Sequence, residues 1–567
     1  MKNITSVGAT MRWEKIGGSH PPYGTIHMMI TASARRRWWT GAAISHGLLV
    51  ICSALLLTAL LPQRTAAHAM RHVPSAAAPD FAAIDHYIEA EMQATRLPGV
   101  ALAIVHGDEI VHLKGFGQAD PSGRPVTLQT PFAIGSTTKS FTALAIMQLV
   151  EAGKLELDAP VQRYVPWFRV ADAAASARIT LRHLLNQTSG LPTRETTDQL
   201  IGHTTGEGAL EQYVRSLMTV NLTYPVGQTF QYSNSNWNVL GLIVQTVSGQ
   251  SYEAYVQEHI FTPLNMVNSY ASPEEARAHG RATGYHYWFG HPVPYEMPYN
   301  RGQLPAGFLS ASAEDLAQYL IAHLNGGRYA GASVLSPSGM NQLHQPATPI
   351  GYDGASYAMG WFVSEINGVP TVSHGGDLAT FHADLVLIPE GKWGIVLLMN
   401  GNNGLDNARI EHITTGVTSL VVGNKPSPFM ASNTVRPSLL LWILLVSAVQ
   451  LLGLIRSFVV LRRWQREPAR RPRGWLRVGV RIVPPLVLNL LWALLLLVGL
   501  PTVGVLGAPL RALPIFAPDL GYALLLSSGL ALGWGLIRPV LVLWVLRTWR
   551  VSQATIVPQE IGASTTA

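Results

Sequence analysis

The chain has 567 residues, too many for a peptide, a small binding module or a disulfide-stapled toxin, and at about 150 residues per domain it has room for several. Charged residues make up 13% of it, against about 25% in a soluble protein, and mean hydropathy is +0.20, so part of the chain belongs in lipid. Residues 70–436 carry 20 Lys/Arg and 29 Asp/Glu, a net of −9, while the flanks carry 20 and 4, a net of +16; basic residues bracketing apolar runs set membrane orientation and argue against a nucleic-acid partner.

In chain order, Arg35-Arg36-Arg37-Trp38-Trp39 precedes an apolar run over 41–61, and Ala67-His68-Ala69 offers the small residues of a cleavage site. Residues 1–69 therefore read as a cytoplasmic leader followed by a signal peptide or an uncleaved signal anchor. The single Cys52 lies inside that run, which leaves no internal disulfide and no cysteine-ligated metal site. A domain over 80–422 follows. It opens with two apolar-rich runs, 100–105 and 109–114, separated by Gly107-Asp108, which predicts a hairpin. The spacing of Leu144, Ala145, Met147, Leu149 and Val150 predicts a helix from Ser136 to a stop at Gly153.

Strands are predicted over 357–365, 370–374, 379–388 and 392–400, with turns at Asn367-Gly368 and Pro389-Glu390-Gly391, and a last helix over 404–421. The fold class is α/β (α+β): terminal strands pair into one antiparallel sheet flanked by helices. The aromatic stretch Gly284-Tyr285-His286-Tyr287-Trp288-Phe289 reads as a loop of an insertion rather than a pocket wall. Residues 423–436 form a linker. Three apolar spans then lie within 437–550, at 437–455, 482–507 and 520–537, each long enough to cross about 30 Å of hydrocarbon, and 551–567 is a tail. Nine arginines between Arg456 and Arg481 separate the first two spans. The positive-inside rule puts that loop in the cytoplasm and the 80–422 domain outside, in a multi-pass cell-membrane protein.

The chain lacks a Gly-x-Ser-x-Gly elbow, a His-Glu-x-x-His helix and a phosphate-cradling Gly-x-x-x-x-Gly-Lys loop, so metal, nucleotide and ordinary triad chemistry lose support. It does contain Ser136-Thr137-Thr138-Lys139. Residues three apart share a helix face, so the Lys139 amine reaches the Ser136 hydroxyl, and burial lowers a lysine towards a usable base. With seven lysines in the chain this pattern alone is weak evidence. Tyr232-Ser233-Asn234 and His374-Gly375-Gly376 come later, and of 19 asparagines Asn234 alone has a tyrosine two residues before it.

This order of motifs resembles the serine β-lactamase and penicillin-binding-protein superfamily, with its Ser-x-x-Lys, Tyr-x-Asn and Lys-Thr-Gly motifs, and more narrowly the class C-like branch of D-peptidases, D-aminopeptidases and esterases. The segments His183-Leu184-Leu185-Asn186-Gln187-Thr188-Ser189-Gly190-Leu191-Pro192 and Pro305-Ala306-Gly307-Phe308-Leu309-Ser310 are similar to stretches common there. The resemblance implies Ser136 as acylating nucleophile and Lys139 as its proton acceptor or electrostatic activator. Tyr232 would shuttle the proton, held near its anionic form by Lys139, and Asn234 would bind the substrate amide. It also implies His374, Gly375, Gly376 and Asp377 as the substrate-binding strand, with the Ser136 and Asp377 N–H groups as oxyanion hole. No metal and no organic cofactor are implied.

Histidine at 374 stands where the β-lactamases and carboxypeptidases have lysine, and followed by Gly it resembles the aminopeptidase and esterase members. A lysine there is a permanent cation for a substrate carboxylate, whereas histidine is mostly neutral at pH 7. The expected partner is thus a small-molecule or peptide substrate with an amide or ester bond, D-amino-acid-containing peptides among them. A catalytic domain ahead of three spans also resembles peptidases that uncap precursors of nonribosomal peptides. The competing reading is a non-catalytic membrane sensor that binds cell-wall peptides or β-lactams.

Overall fold

The computed structural model describes residues 78–193, 204–351, 354–404, 407–429, 435–502 and 510–554. The leader, residues 430–434 of the linker and the tail beyond 554 lie outside them. Helix α1 (Phe81–Thr95) starts at Asp80, whose side chain accepts the Ala83 N–H at 3.0 Å, and stops at Arg96 in the left-handed region. The hairpin of β1 (Gly99–His106) and β2 (Glu109–Gly117) turns at Gly107, φ +65°. Helices α2 (Thr138–Glu151) and α3 (Asn234–Ser248), the short hairpin β3 (Tyr285–Trp288) and β4 (His291–Pro294), and α4 (Ala313–Leu324) follow. The strands β5 (Thr348–Pro349), β6 (Ser356–Ala358), β7 (Trp361–Ile366), β8 (Val369–Asp377), β9 (His382–Ile388) and β10 (Trp393–Met399) then lead into α5 (Asn407–Val421).

One eight-stranded sheet runs β2-β1-β10-β9-β8-β7-β6-β5, antiparallel throughout. As expected from the sequence, the first and last strands pair, with Val100 opposite Met399. Strand β1 is apolar at consecutive positions because both its faces are covered. Val100, Leu102 and Ile104 pack with Ile84 and Ile88 of α1 and Ile410, Ile413 and Val417 of α5. Ala101, Ala103 and Val105 pack into the other, larger core, with α2, α3 and α4. Helix α2 is buried on nearly every side, Phe141 stacking on Tyr319 of α4 at 4.0 Å, so its sequence shows no polar face.

Three sequence expectations shift. The helix predicted from Ser136 begins as a 3-10 turn, Gly135–Thr137, and becomes α-helical at Thr138. The strand predicted over 357–365 is two strands, because the chain reverses at Gly360, φ +83°. A side chain there would meet the Lys139 carbonyl at 3.0 Å and the Ala143 Cβ at 3.2 Å, so the turn presses directly onto α2. The aromatic stretch 284–289, expected as a loop, supplies strand β3, which pairs with β4 and with Gly401–Asn402 and buries Tyr285 and Tyr287.

After the domain come α6 (Val435–Arg466), α7 (Trp475–Leu494) and α8 (Pro518–Ala554). Within this region Pro437–Arg466, Trp475–Gly499 and Pro518–Arg547 are long and apolar enough to cross a membrane. The start of α8 also meets the domain. Trp288 stacks on Tyr522 at 5.4 Å, and the Phe289 N–H donates to the Asp519 carboxylate at 3.1 Å.

Candidate active site

Ser136 sits on the 3-10 turn that leads into α2, partly exposed between buried neighbours on either side. The turn needs Gly135 at φ +52°, a conformation a side chain disfavours. Three residues on, the Lys139 side chain is fully buried, and its Nζ lies 2.8 Å from Ser136 Oγ and 2.6 Å from the Ala306 carbonyl. Burial holds the amine well below its ordinary lysine range. A neutral amine with one N–H given to Ala306 keeps a lone pair, so Lys139 can receive the serine proton.

Tyr232 closes the other side. Its hydroxyl interacts with the Ser136 side chain, and Lys139 Nζ lies 4.9 Å from its ring centroid. The sequence expectation of a near-anionic Tyr232 is corrected here. Burial raises the phenol above its ordinary range and the Asp377 charge adds to this, while the Ser136 hydrogen bond opposes them without prevailing. Desolvation thus favours the neutral form of both the phenol and the amine.

Tyr232 and Asn234 are placed by the 187–193 segment, which the sequence flagged through resemblance without showing its purpose. The Gln187 carbonyl accepts the Gln231 N–H at 2.8 Å, and Gln187 Oε1 accepts the Ser233 N–H at 2.9 Å and the Asn236 side-chain amide. Ser233 Oγ donates to the Pro192 carbonyl at 3.1 Å, and the Thr193 hydroxyl donates to the Tyr232 carbonyl. This buried polar cradle fixes the entry into α3, whose first residue is Asn234. Among the described residues Asn234 Oδ1 is buried without a hydrogen-bond partner, an atom of the kind that a substrate N–H would satisfy.

Strand β8 brings the last motif. Its end lies against the serine turn: a Cβ on Gly376 would fall 2.1 Å from the Ile134 carbonyl oxygen and 3.0 Å from the Ser136 nitrogen, and one on Gly135 would fall 2.9 Å from the Asp377 nitrogen. The backbone at 135–136 and at 376–377 is thus as close as two chains without side chains can pack. His374 is buried, with Nδ1 2.6 Å from the Gly375 carbonyl and Nε2 3.4 Å from the Tyr357 hydroxyl. Burial, reinforced by Lys139, lowers it to about 3, against smaller opposing contributions from Gly375 and Asp377. The ring is therefore neutral, Nδ1–H donating to Gly375 and Nε2 accepting from Tyr357. Tyr357, itself fully buried, carried no sequence signal: its place depends on the β6–β7 reversal and the pairing of β7 with β8.

Histidines whose charged form is disfavoured by desolvation set a pH dependence of stability. His344, lowered to about 4, and His323, lowered well below its usual range, pair at 2.9 Å and are shifted by burial like His374. All three bind protons near pH 6.5 in the unfolded chain but not in the folded one, so stability falls as pH drops from about 6.5 towards 4. Each contributes up to about 1.4 kcal/mol per pH unit in that window. Thermal unfolding of the detergent-solubilised protein is expected at a clearly lower Tm at pH 5 than at pH 7; equal values would show that these histidines titrate normally.

Comparison with known proteins gives the family. The Beta-lactamase family model matches residues 84–415. The chain is 30% identical to Protein flp of Staphylococcus aureus strain MW2 over 73% of its own length and 82% of the relative's. It is also 30% identical to Penicillin-binding protein 4 of Amycolatopsis lactamdurans, over 54% of this chain and 81% of that one. Among solved structures, the octameric penicillin-binding protein homologue from Pyrococcus abyssi aligns with a TM-score of 0.54 and 28% identity, covering 64% of this chain and 81% of that chain. With more than half of its length under the family model, the chain belongs to the beta-lactamase and penicillin-binding-protein-like family of serine hydrolases.

Proposed function

We propose that the protein is a membrane-anchored serine hydrolase that cleaves amide or ester bonds through an acyl-enzyme on Ser136. The observation that carries this reading is the 2.8 Å contact between Ser136 Oγ and the fully buried Lys139 amine, whose proton burial makes easier to lose. In acylation the Ser136 hydroxyl proton passes to Lys139 Nζ while Oγ bonds to the substrate carbonyl carbon. As the C–N or C–O bond breaks, Tyr232 gives its proton to the leaving group and is reprotonated by Lys139. The Ser136 and Asp377 N–H groups hold the developing oxyanion, and Asn234 Oδ1 accepts the substrate amide N–H. Water then attacks the acyl carbon, giving its proton to the same Lys139–Tyr232 pair, which passes it to Ser136 Oγ as the Oγ–acyl bond breaks and the carboxylic acid leaves.

The neutral, hydrogen-bonded His374 supports a substrate without an obligatory carboxylate at this strand. That favours an aminopeptidase, amidase or esterase over a penicillinase or a carboxypeptidase, with D-amino-acid-containing peptides as the first class to examine. The nine arginines from Arg456 to Arg481 support a cytoplasmic loop between the first two spans and, with it, a catalytic domain on the outer side of the cell membrane. The test is mass spectrometry of the full chain in detergent after exposure to a fluorophosphonate, followed by turnover of p-nitrophenyl esters and a panel of N-acyl-D-amino-acid amides. A covalent adduct on the peptide containing Ser136, with turnover, is expected. A chain that stays unmodified and inactive would overturn the hydrolase in favour of a binding or sensing role.

A further inference from the structure

Behind the strand that carries Gly376 and Asp377 lies a polar chain that the catalytic reading does not use. In the β8–β9 ladder His382 stands opposite Asp377 and Asp384 opposite Gly375. Residues two apart on a strand share a face, so Asp377, His382 and Asp384 project together on the side of the sheet that α1 and α5 cover. His382 is 2% exposed, with Nδ1 2.8 Å from Asp377 Oδ1 and Nε2 2.8 Å from Asp384 Oδ2. A carboxylate only accepts, so both ring nitrogens must carry hydrogen, and the geometry requires an imidazolium. Burial alone would lower this histidine, but the two carboxylates outweigh it and hold it well above its usual range.

The chain is anchored at both ends. Asn402 donates to Asp377 Oδ1 at 2.9 Å and to the Leu378 carbonyl at 2.8 Å, and the Thr414 hydroxyl of α5 donates to Asp384 Oδ2. Gly375 leaves room for Asp384: a Cβ there would lie 3.0 Å from its Oδ1. The network thus grips the residue whose backbone nitrogen faces the serine turn, through a side chain on the opposite face of the sheet.

We infer that His382 is a positioning residue for the reaction: bridging Asp377 and Asp384, it fixes the Gly376–Asp377 peptide against the Ser136 turn and offsets negative charge that would oppose an oxyanion there. The inference rests on the reading of Ser136 as nucleophile and the Asp377 N–H as oxyanion donor. Removing an oxyanion donor costs about 10²–10³ in kcat, and loosening one costs less. His382→Gln, which can serve one carboxylate at a time, is expected to lower kcat on a p-nitrophenyl ester by about 10–100-fold, with KM changed less than about threefold. The fluorophosphonate labelling rate of Ser136 should fall by the same factor.

The measurement uses the full chain in detergent, with thermal unfolding alongside. Wild-type kcat and labelling in a folded H382Q would overturn the inference, and so would a change confined to Tm or to KM. If H382Q does not fold, Asp384→Asn decides, since its amide oxygen still accepts from Nε2 while one charge is lost. A loss of kcat of about fivefold or more at constant KM supports the positioning role, and an unchanged kcat overturns it. A wild-type chain without label on Ser136 overturns the hydrolase reading and this inference together, whereas equal labelling of wild type and H382Q overturns this inference alone.

Discussion

Ser136→Ala is expected to abolish turnover and labelling to the limit of detection, and Lys139→Met to lower kcat/KM by at least about 10³-fold in a protein at least as stable as wild type. The two halves of this expectation have one cause. Lys139 sits fully buried with two hydrogen-bonded neighbours and, among the described residues, without a paired carboxylate, so folding strips its hydration and disfavours its charged form. Methionine has a similar length and none of that desolvation cost. The stability spent on the lysine is recovered in the variant and the base is lost with it. Because the serine and the amine act as one unit, the double variant should be no worse than Ser136→Ala alone. Lys139→Met keeping more than about a tenth of wild-type acylation would mean that the base is elsewhere, with Tyr232 as the remaining group in contact with Ser136.

How far the site was legible follows from how far apart in the chain its contacts are. The Ser136–Lys139 contact is local, set by helical spacing, and the sequence displays it directly. The strands from 361 to 399 were legible because Asn367-Gly368 and Pro389-Glu390-Gly391 punctuate them; Asn367 and Gly368 both adopt positive φ in the structure. The β6–β7 reversal was not, since a Met-Gly pair inside an apolar run marks a turn only once α2 is known to lie against it. Protonation states were equally hidden. The resemblance implied a Lys139 that holds Tyr232 near its anion, but Lys139 proves fully buried and Tyr232 partly buried, and desolvation favours the neutral form of each. Gln187 and Tyr357 act through contacts 46 and 17 residues away in the chain, beyond the reach of any local periodicity.

Gly376→Ala carries the second large effect, and its comparison with Gly375→Ala isolates the cause. Neither glycine is needed for a left-handed backbone, so the argument is one of space. At 376 the added methyl would fall 2.1 Å from the Ile134 carbonyl oxygen and 3.0 Å from the Ser136 nitrogen. Both obstacles are backbone atoms, which cannot rotate aside, so β8 or the serine turn must move. A shift of about 1 Å at a reacting centre costs about 10²-fold, and here it separates the serine from the Asp377 N–H as well. Gly376→Ala is therefore expected to lower kcat by at least about 10²-fold with little change in KM. At 375 the obstacle is the Asp384 carboxylate at 3.0 Å, the end of a side chain that can give by a few tenths of an ångström. Gly375→Ala should then cost less than about tenfold, through the His382 network rather than through the turn itself. Steady-state kinetics and the Ser136 labelling rate of the two variants check this ordering. Equal losses would mean that the strand responds as a whole, and a wild-type Gly376→Ala would mean that the contact between β8 and the serine turn does not set the reactive geometry.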